Sequence, residues 1–209
     1  MKKFGAIVAV VVIAVFAGMV IAGEQETLTL KKARKGAVTE KPAEVKKETP
    51  VKGDPIFGVN KEFPKAMKGE VFFIPEGSDG LPDFSILKPQ GTIYTRTLNV
   101  EPHSFELGFP GIDRTEWFAI RYTGFFNAPA AGEYGFRVLS DDGARVYIDD
   151  ALVVDNDGVH PPSDGTGVVN LAAGRHRIRV EFFQGPRYEL ALQLFVTAPG
   201  GQEKLFESD

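Results

Sequence analysis

The sequence contains no cysteine and few of the residue patterns that support catalysis. Without cysteine the chain forms no disulfide and carries no lipid-attachment cysteine. Its three histidines, His103, His160 and His176, are isolated, and none lies at zinc-ligand spacing from another. No glycine-rich phosphate loop and no Gly-x-Ser-x-Gly elbow is present. We therefore expect a protein that is not an enzyme.

The N-terminal residues have the layout of a targeting segment. Lys2 and Lys3 precede a run of apolar and small residues that extends to position 22. This pattern is typical of a secretory signal peptide, but the run is also nearly long enough to cross a bilayer. Residues 1–22 are therefore predicted to be either a cleaved signal peptide or an N-terminal membrane anchor. Both alternatives place the rest of the chain outside the cytoplasmic membrane: in the periplasm, at the cell surface or secreted.

Residues 23–66 are rich in charge and proline and show no hydrophobic periodicity. Such a composition cannot bury enough apolar surface to fold by itself, so we predict a flexible linker. The net charge is +3 over residues 24–66 and −9 over residues 67–209. An acidic body argues against nucleic acid as a partner, and any membrane contact would come only from the N-terminal segment.

Residues 67–209 carry the signals of an all-β domain. Short stretches with a period of two alternate with Gly, Pro and Asp, as in an antiparallel β-sandwich or barrel. We predict strands near residues 70–74, 92–98, 116–126, 133–139, 144–148, 151–155, 167–171, 175–183 and 188–196. Asp149-Asp150 is predicted to form a tight hairpin connection between two of these strands. The pattern predicts no helix after the N-terminal segment.

Two adjacent carboxylates, Asp141 and Asp142, stand between two predicted strands and are followed by Gly143. Adjacent carboxylates repel each other, so a turn that holds both requires a cation or several hydrogen-bond donors nearby. Clustered hard oxygen ligands suit calcium better than zinc or iron. The alternative is a plain turn in which the carboxylate oxygens accept hydrogen bonds from backbone N–H groups.

A second oxygen-rich loop follows at residues 155–162, where Asp155, Asn156 and Asp157 stand together. It is similar to the start of a calcium loop but lacks the further spaced acids and the closing glutamate. A polar turn after a buried strand is the favoured interpretation. The loop would flank a ligand if it lay beside Asp141.

Several blocks of the sequence resemble the PA-fourteen (PA14) domain, a β-barrel module of protective-antigen toxins, adhesins and some glycosidases. The blocks are residues 118–125, 132–136, 140–149, 154–156 and 169–182. The resemblance extends over roughly residues 67–206. It implies an antiparallel β-sandwich or barrel of the PA-fourteen type, here preceded by the signal or anchor segment and the disordered linker.

In sugar-binding members of this family, paired aspartates joined by a cis peptide bind a calcium ion that also contacts vicinal sugar hydroxyls. The resemblance places Asp141 and Asp142 at this pair. A later loop supplies further oxygens, and here the candidates are the Gln184 side chain and the Gly185 carbonyl. Arg187 and Tyr188 would line the sugar pocket. The loop is short and contains no Asn or Asp, unlike the lectin-like members.

The resemblance thus implies a carbohydrate-binding, lectin-like or adhesin-like domain whose partner is a glycan or envelope polysaccharide. Calcium would be its cofactor. Because one fold serves many functions, the alternative is a structural or protein-interaction module of the cell envelope that binds a protein and no sugar.

Overall fold

The computed structural model describes residues 58–209, and the regular secondary structure of this part of the chain is almost entirely β-strand. The strands are β1 Met67–Phe73, β2 Gly91–Thr95, β3 Asn99–Ser104, β4 Phe118–Ala128, β5 Gly132–Asp141, β6 Ala144–Ile148, β7 Ala151–Asn156, β8 Ser163–Leu171, β9 Gly174–Gln184, β10 Glu189–Thr197 and β11 Glu203–Leu205. A short 3-10 turn, Phe105–Leu107, follows β3.

The strands form two antiparallel sheets. The first sheet has six strands in the order β2-β1-β4-β9-β6-β7, and the second contains β11-β10-β5-β8 with β3 also paired to β10. The chain crosses from one sheet to the other seven times among the described strands: between β2 and β3, β3 and β4, β4 and β5, β5 and β6, β7 and β8, β8 and β9, and β9 and β10. The prediction of an all-β antiparallel fold is therefore confirmed.

The core forms because each long strand alternates apolar and polar side chains, which point to opposite faces of a sheet. In β9, Ile178, Val180 and Phe182 are buried, whereas Arg175 and Arg177 are exposed on the other face. The inward faces of both sheets meet in one aromatic-rich core. Its largest fully buried side chains include Tyr122, Tyr134, Phe109, Phe118, Phe136, Phe182 and Phe206.

A smaller hydrophobic cluster lies beneath the segment that connects β1 and β2. It consists of Phe72, Ile74, Phe84, Ala119 and Phe183, with partly buried side chains packed against it. The Phe72 and Phe84 rings meet edge to face with their centroids 5.1 Å apart. This cluster fixes residues 75–90 over the first sheet, near the end of β9.

A row of alternating charges runs across the outer face of the first sheet. The residues opposite one another are Glu70 and Arg121, Arg121 and Glu181, Glu181 and Arg145, and Arg145 and Asp155. Arg121 Nη2 lies 2.9 Å from Glu70 Oε2, and Arg145 Nε lies 3.0 Å from Asp155 Oδ1. Glu181, at the centre of the row, is only 6% exposed. Opposite charges on neighbouring strands stabilise the pairing of the sheet.

The edge strands β7 and β8 approach each other very closely. A Cβ atom added to Gly167 in β8 would lie 1.9 Å from the Val153 carbonyl oxygen of β7. No real Cβ atom is accommodated at such a distance, so glycine is required for this approach. The contact closes the side of the sandwich where the two sheets end.

Some strand predictions are corrected by the structure. The strand predicted over residues 92–98 ends at Thr95, and β3 and β11 were not predicted. Pro102 and the charge beside it weaken the strand signal of β3, which is tolerated because β3 pairs only with β10 among the described residues. The β6–β7 hairpin is confirmed, with positive φ angles of 48° at Asp149 and 70° at Asp150.

The signal or anchor prediction for residues 1–22 lies outside the described residues, as does the linker prediction up to residue 57. The last part of the predicted linker contacts the β domain. Val59 exchanges backbone hydrogen bonds with Tyr94 in β2, and the Ser208 hydroxyl donates to the Lys65 carbonyl. Within residues 58–209 there is no helix with the length and apolarity needed to span a membrane.

Candidate functional site

Asp141 and Asp142 lie at the junction where β5 of the second sheet leads into β6 of the first. Both are buried, with relative exposures of 5% and 3%. The peptide bond between them is cis, as the family resemblance implied. Burial of two adjacent acidic side chains is uncommon, because each carboxylate loses hydration when it is removed from water. Their surroundings must therefore supply hydrogen bonds or a cation.

Asp142 receives two backbone hydrogen bonds from two different loops. The Gly185 N–H donates to Oδ2 at 2.7 Å, and the His160 N–H donates to Oδ1 at 3.2 Å. Burial raises the pKa of Asp142, and these two N–H donors oppose the rise. The β7–β8 loop and the β9–β10 loop are thus both attached to the aspartate pair.

Asp141 has no hydrogen-bond or ion-pair partner for its carboxylate among residues 58–209. Burial, together with the charges of Asp142 and Glu189, raises the pKa of Asp141 to about 7, with His160 acting in the opposite direction. Since Asp142 and Glu189 both disfavour the negative charge of Asp141, a cation bound beside Asp141 would be attracted electrostatically.

Gln184, at the end of β9, is fully buried next to the same loop. Its Nε2 donates to the carbonyl oxygens of Pro186 at 3.3 Å and Glu189 at 3.1 Å. Its Oε1 has no hydrogen-bond partner in the described part of the chain. A buried acceptor without a donor costs free energy, so a ligand that approaches this oxygen would be favoured.

Gly143, directly after the pair, allows a close approach of neighbouring segments. An added Cβ atom would lie 2.6 Å from the Phe183 ring, 2.7 Å from the Gly158 nitrogen and 2.8 Å from Asp157 Oδ1. A side chain at this position would displace the backbone of the aspartate turn. The glycine therefore determines how tightly the turn packs against the β7–β8 loop.

The structure places Arg187 and Tyr188 on the β9–β10 loop but directs both towards solvent. Arg187 Nε lies 3.2 Å from Glu116 Oε2, and the side chain is 70% exposed. Tyr188 is 84% exposed and has a φ of 136°, while its carbonyl accepts a hydrogen bond from Phe105. Both side chains lie on the same loop as Gly185, and neither has a hydrogen bond to the aspartates in residues 58–209.

Two groups near the pair were not identified from sequence. Glu189 opens β10 and influences Asp141 electrostatically, and His160 reaches Asp142 through its backbone N–H. The oxygen-rich loop at residues 155–162 lies beside the aspartates, which is the position from which we expect it to flank a ligand. No local pattern marked Glu189, and His160 was noted only as part of this loop, because chain crossings between the sheets bring both residues to the pair.

The oxygens present at this site fit a calcium ion in kind. They are the free Asp141 carboxylate, the Asp142 carboxylate and the orphan amide oxygen of Gln184. Calcium prefers such hard oxygen donors and accepts carbonyl and amide oxygens as well as carboxylates. Across residues 58–209, no set of three or more His, Asp and Glu side chains is grouped closely enough to hold a metal ion by itself. A metal here would need amide or backbone oxygens and ligand atoms from outside the chain.

Comparison with solved structures shows where this fold occurs. A PA14 sugar-binding domain from an RTX adhesin superposes with a TM-score of 0.56 and 20% identity, covering 68% of this chain and 97% of that one. The PA14 domain of the MpAFP antifreeze protein gives a TM-score of 0.55 at 20% identity, covering 78% and 93%. An anti-sigma factor domain-containing protein from Clostridium clariflavum gives 0.54 at 21% identity, covering 68% of this chain and 45% of that protein.

At these levels of identity the likeness shows the fold. No curated protein matches the chain. The family comparison is more specific, because the PA14 domain model matches residues 103–209. This range contains the aspartate pair, the β7–β8 loop and the loop after β9. The chain belongs to the PA14 domain family.

Proposed function

We propose that this chain is a non-catalytic carbohydrate-binding domain that binds glycan hydroxyls through a calcium ion held by Asp141 and Asp142. Gln184 would contribute its amide oxygen and Gly185 its carbonyl oxygen. Arg187 and Tyr188 would contact the sugar from the exposed β9–β10 loop. The single observation that carries the proposal is the pair of adjacent buried carboxylates beside an unpaired buried amide oxygen.

The electrostatics of the site support this assignment. The Asp141 carboxylate has no ion-pair partner in residues 58–209, and the negative charges of Asp142 and Glu189 act on it. A bound calcium would offset this repulsion and supply Lewis-acidic coordination positions. Because calcium takes about 6–8 oxygens, the protein would leave positions for a pair of sugar hydroxyls.

The RTX adhesin domain with the same fold is named a sugar-binding domain, which supports a glycan or envelope polysaccharide as partner. An adhesin-like role also fits an exported protein, and the apolar N-terminal residues have the layout of an export signal. We therefore propose an exported location: in the periplasm, at the cell surface or secreted.

A second candidate is a structural or protein-interaction module that binds an envelope protein and no sugar. It is favoured by the hydrogen bonds at Asp142, since both of its oxygens already accept backbone N–H groups. The short β9–β10 loop, Gly185 to Tyr188, also contains no Asn or Asp ligand.

Calorimetric titration of calcium into the full chain separates the two candidates. We expect saturable binding to the wild type and none to the double variant Asp141→Asn with Asp142→Asn. The control is Asp149→Asn with Asp150→Asn, which changes two adjacent acids in the exposed β6–β7 turn and should bind as the wild type does. A glycan array read with calcium and with chelator then identifies the sugar. Absence of calcium binding to the wild type would refute the calcium-dependent lectin and favour the protein-binding module.

A further inference from the structure

Asp157 contacts three separate segments around the aspartate pair without belonging to the pair. Its Oδ1 accepts hydrogen bonds from the Leu81 N–H at 2.8 Å and from the Gly158 N–H at 2.9 Å. Its Oδ2 lies 3.2 Å from Arg145 Nη2, and the side chain is 19% exposed. One carboxylate therefore joins the segment over the small hydrophobic cluster, strand β6 and the β7–β8 loop.

The backbone that follows the aspartate pair packs directly against this carboxylate. A Cβ atom on Gly143 would lie 2.8 Å from Asp157 Oδ1 and 2.7 Å from the Gly158 nitrogen. The position of the turn after Asp142 thus depends on where Asp157 and Gly158 lie. Such close-packed contacts transmit a displacement to their neighbours, because protein interiors have little free volume.

Asp157 also begins the loop that reaches Asp142 from the other side. Three residues later in this loop, the His160 N–H donates to Asp142 Oδ1 at 3.2 Å. The His160 ring is fixed in turn by the Asn156 carbonyl at 2.9 Å and the Ser163 hydroxyl at 3.0 Å. If Asp157 released the Leu81 N–H group, this loop would lose its hydrogen bond to the 75–90 segment.

We propose that Asp157 is a positioning residue for the cation site. It fixes the Gly143 turn and the His160 loop so that the oxygens of Asp141 and Asp142 are held in place for the metal. The inference rests on the proposed function for the calcium ion but concerns a residue that does not ligate it. Groups that orient metal ligands commonly change metal affinity by about 10–100-fold when they are removed.

The test compares Asp157→Ala with Asp157→Asn in the full chain by calcium calorimetry. Alanine removes both acceptors, so the calcium Kd should rise by about tenfold or more. Asparagine keeps one oxygen that can accept the two N–H groups, so its Kd should stay within about threefold of the wild type. The matched control is Asp83→Ala, which removes an aspartate that accepts the Ser85 N–H at 2.9 Å in the same 75–90 segment. This control should leave the Kd unchanged.

A second measurement follows amide hydrogen exchange at His160 by NMR in chelator, without any metal. The His160 amide should exchange faster in Asp157→Ala, because its hydrogen bond to Asp142 would be held less firmly. Its exchange rate should not change in Asp157→Asn or Asp83→Ala. An unchanged Kd in Asp157→Ala, or unchanged His160 exchange, would overturn the positioning role, even if the melting temperature fell. Should the wild type bind no calcium, the proposed function fails, and unaltered His160 exchange in Asp157→Ala would refute the positioning of this loop independently.

Discussion

Replacing Asp141 with asparagine should stabilise the metal-free protein at high pH. The side chain is 5% exposed, and burial with the nearby charges of Asp142 and Glu189 raises its pKa from 3.8 to about 7. Between these two values the folded state binds more protons than the unfolded state. The free energy of unfolding of the wild type therefore falls as pH rises through this interval and is lowest above it.

The magnitude follows from the size of the pKa change. Each pH unit between the unfolded and folded pKa values contributes about 1.4 kcal/mol. Ionised Asp141 therefore lowers the stability at pH 8 by roughly 2–4 kcal/mol, the smaller figure allowing for solvent relaxation near the surface. Asparagine at this position keeps the shape of the side chain and removes the charge, so Asp141→Asn should recover this amount.

The assay is urea unfolding of the wild type and Asp141→Asn in chelator at pH 8 and pH 5. The stability difference should be largest at pH 8 and shrink by more than half at pH 5, where the folded wild type carries a protonated Asp141. The control, Asp150→Asn, changes an exposed acid and should shift stability by no more than about 0.5 kcal/mol. If the free energies of unfolding of the wild type and Asp141→Asn differed equally at both pH values, this result would refute the argument. A variant less stable than the wild type at pH 8 would refute it as well. Millimolar calcium should stabilise the wild type and leave Asp141→Asn unaffected.

The close approach of β7 and β8 and the row of charges give two further predictions. Gly167→Ala places a Cβ atom 1.9 Å from the Val153 carbonyl and should destabilise the protein by about 2 kcal/mol or more, measured by urea unfolding. In Gly135→Ala the added Cβ atom would lie 3.6 Å from its nearest neighbour, Thr197 Cβ, so the free energy of unfolding should hardly change. Equal destabilisation by the two substitutions would contradict the steric argument. Glu181→Gln removes a buried carboxylate that pairs with Arg179 and lies opposite Arg121 and Arg145, and it should cost about 3 kcal/mol. Glu203→Gln, in an exposed pair with Arg137, should cost less than about 1 kcal/mol, and a thermal melt that ranks the two variants the other way would refute the role of Glu181.

Much of the fold could be predicted because its strands carry local signals. Alternation in β9 and the turn residues Asp149 and Asp150 are visible in a few consecutive residues, and both features are present in the structure. Strand β3 was missed because Pro102 opposes the strand pattern, and within residues 58–209 the strand pairs only with β10. Tertiary contacts override local preference at such an edge strand.

From local residue patterns alone, the site could be predicted only where adjacent residues build it. Asp141 and Asp142 are neighbours in sequence, and Gln184 was found through the family resemblance. His160 and the supporting Asp157 lie in the β7–β8 loop and Glu189 opens β10, and no spacing in the sequence relates these residues to the pair. Their proximity results from the order in which the strands enter the two sheets, which local periodicity does not encode.

The candidate site lies where the chain passes between the two sheets, and this location would link ligand binding to the mechanical behaviour of the domain. Asp141 ends a strand of the second sheet, Gln184 ends a strand of the first, and the His160 loop joins one sheet to the other. A ligand held by these groups would be attached to both halves of the sandwich at once. Pulling the sheets apart and emptying the site would then be a single event, so an occupied domain should resist a stretching force better than an empty one.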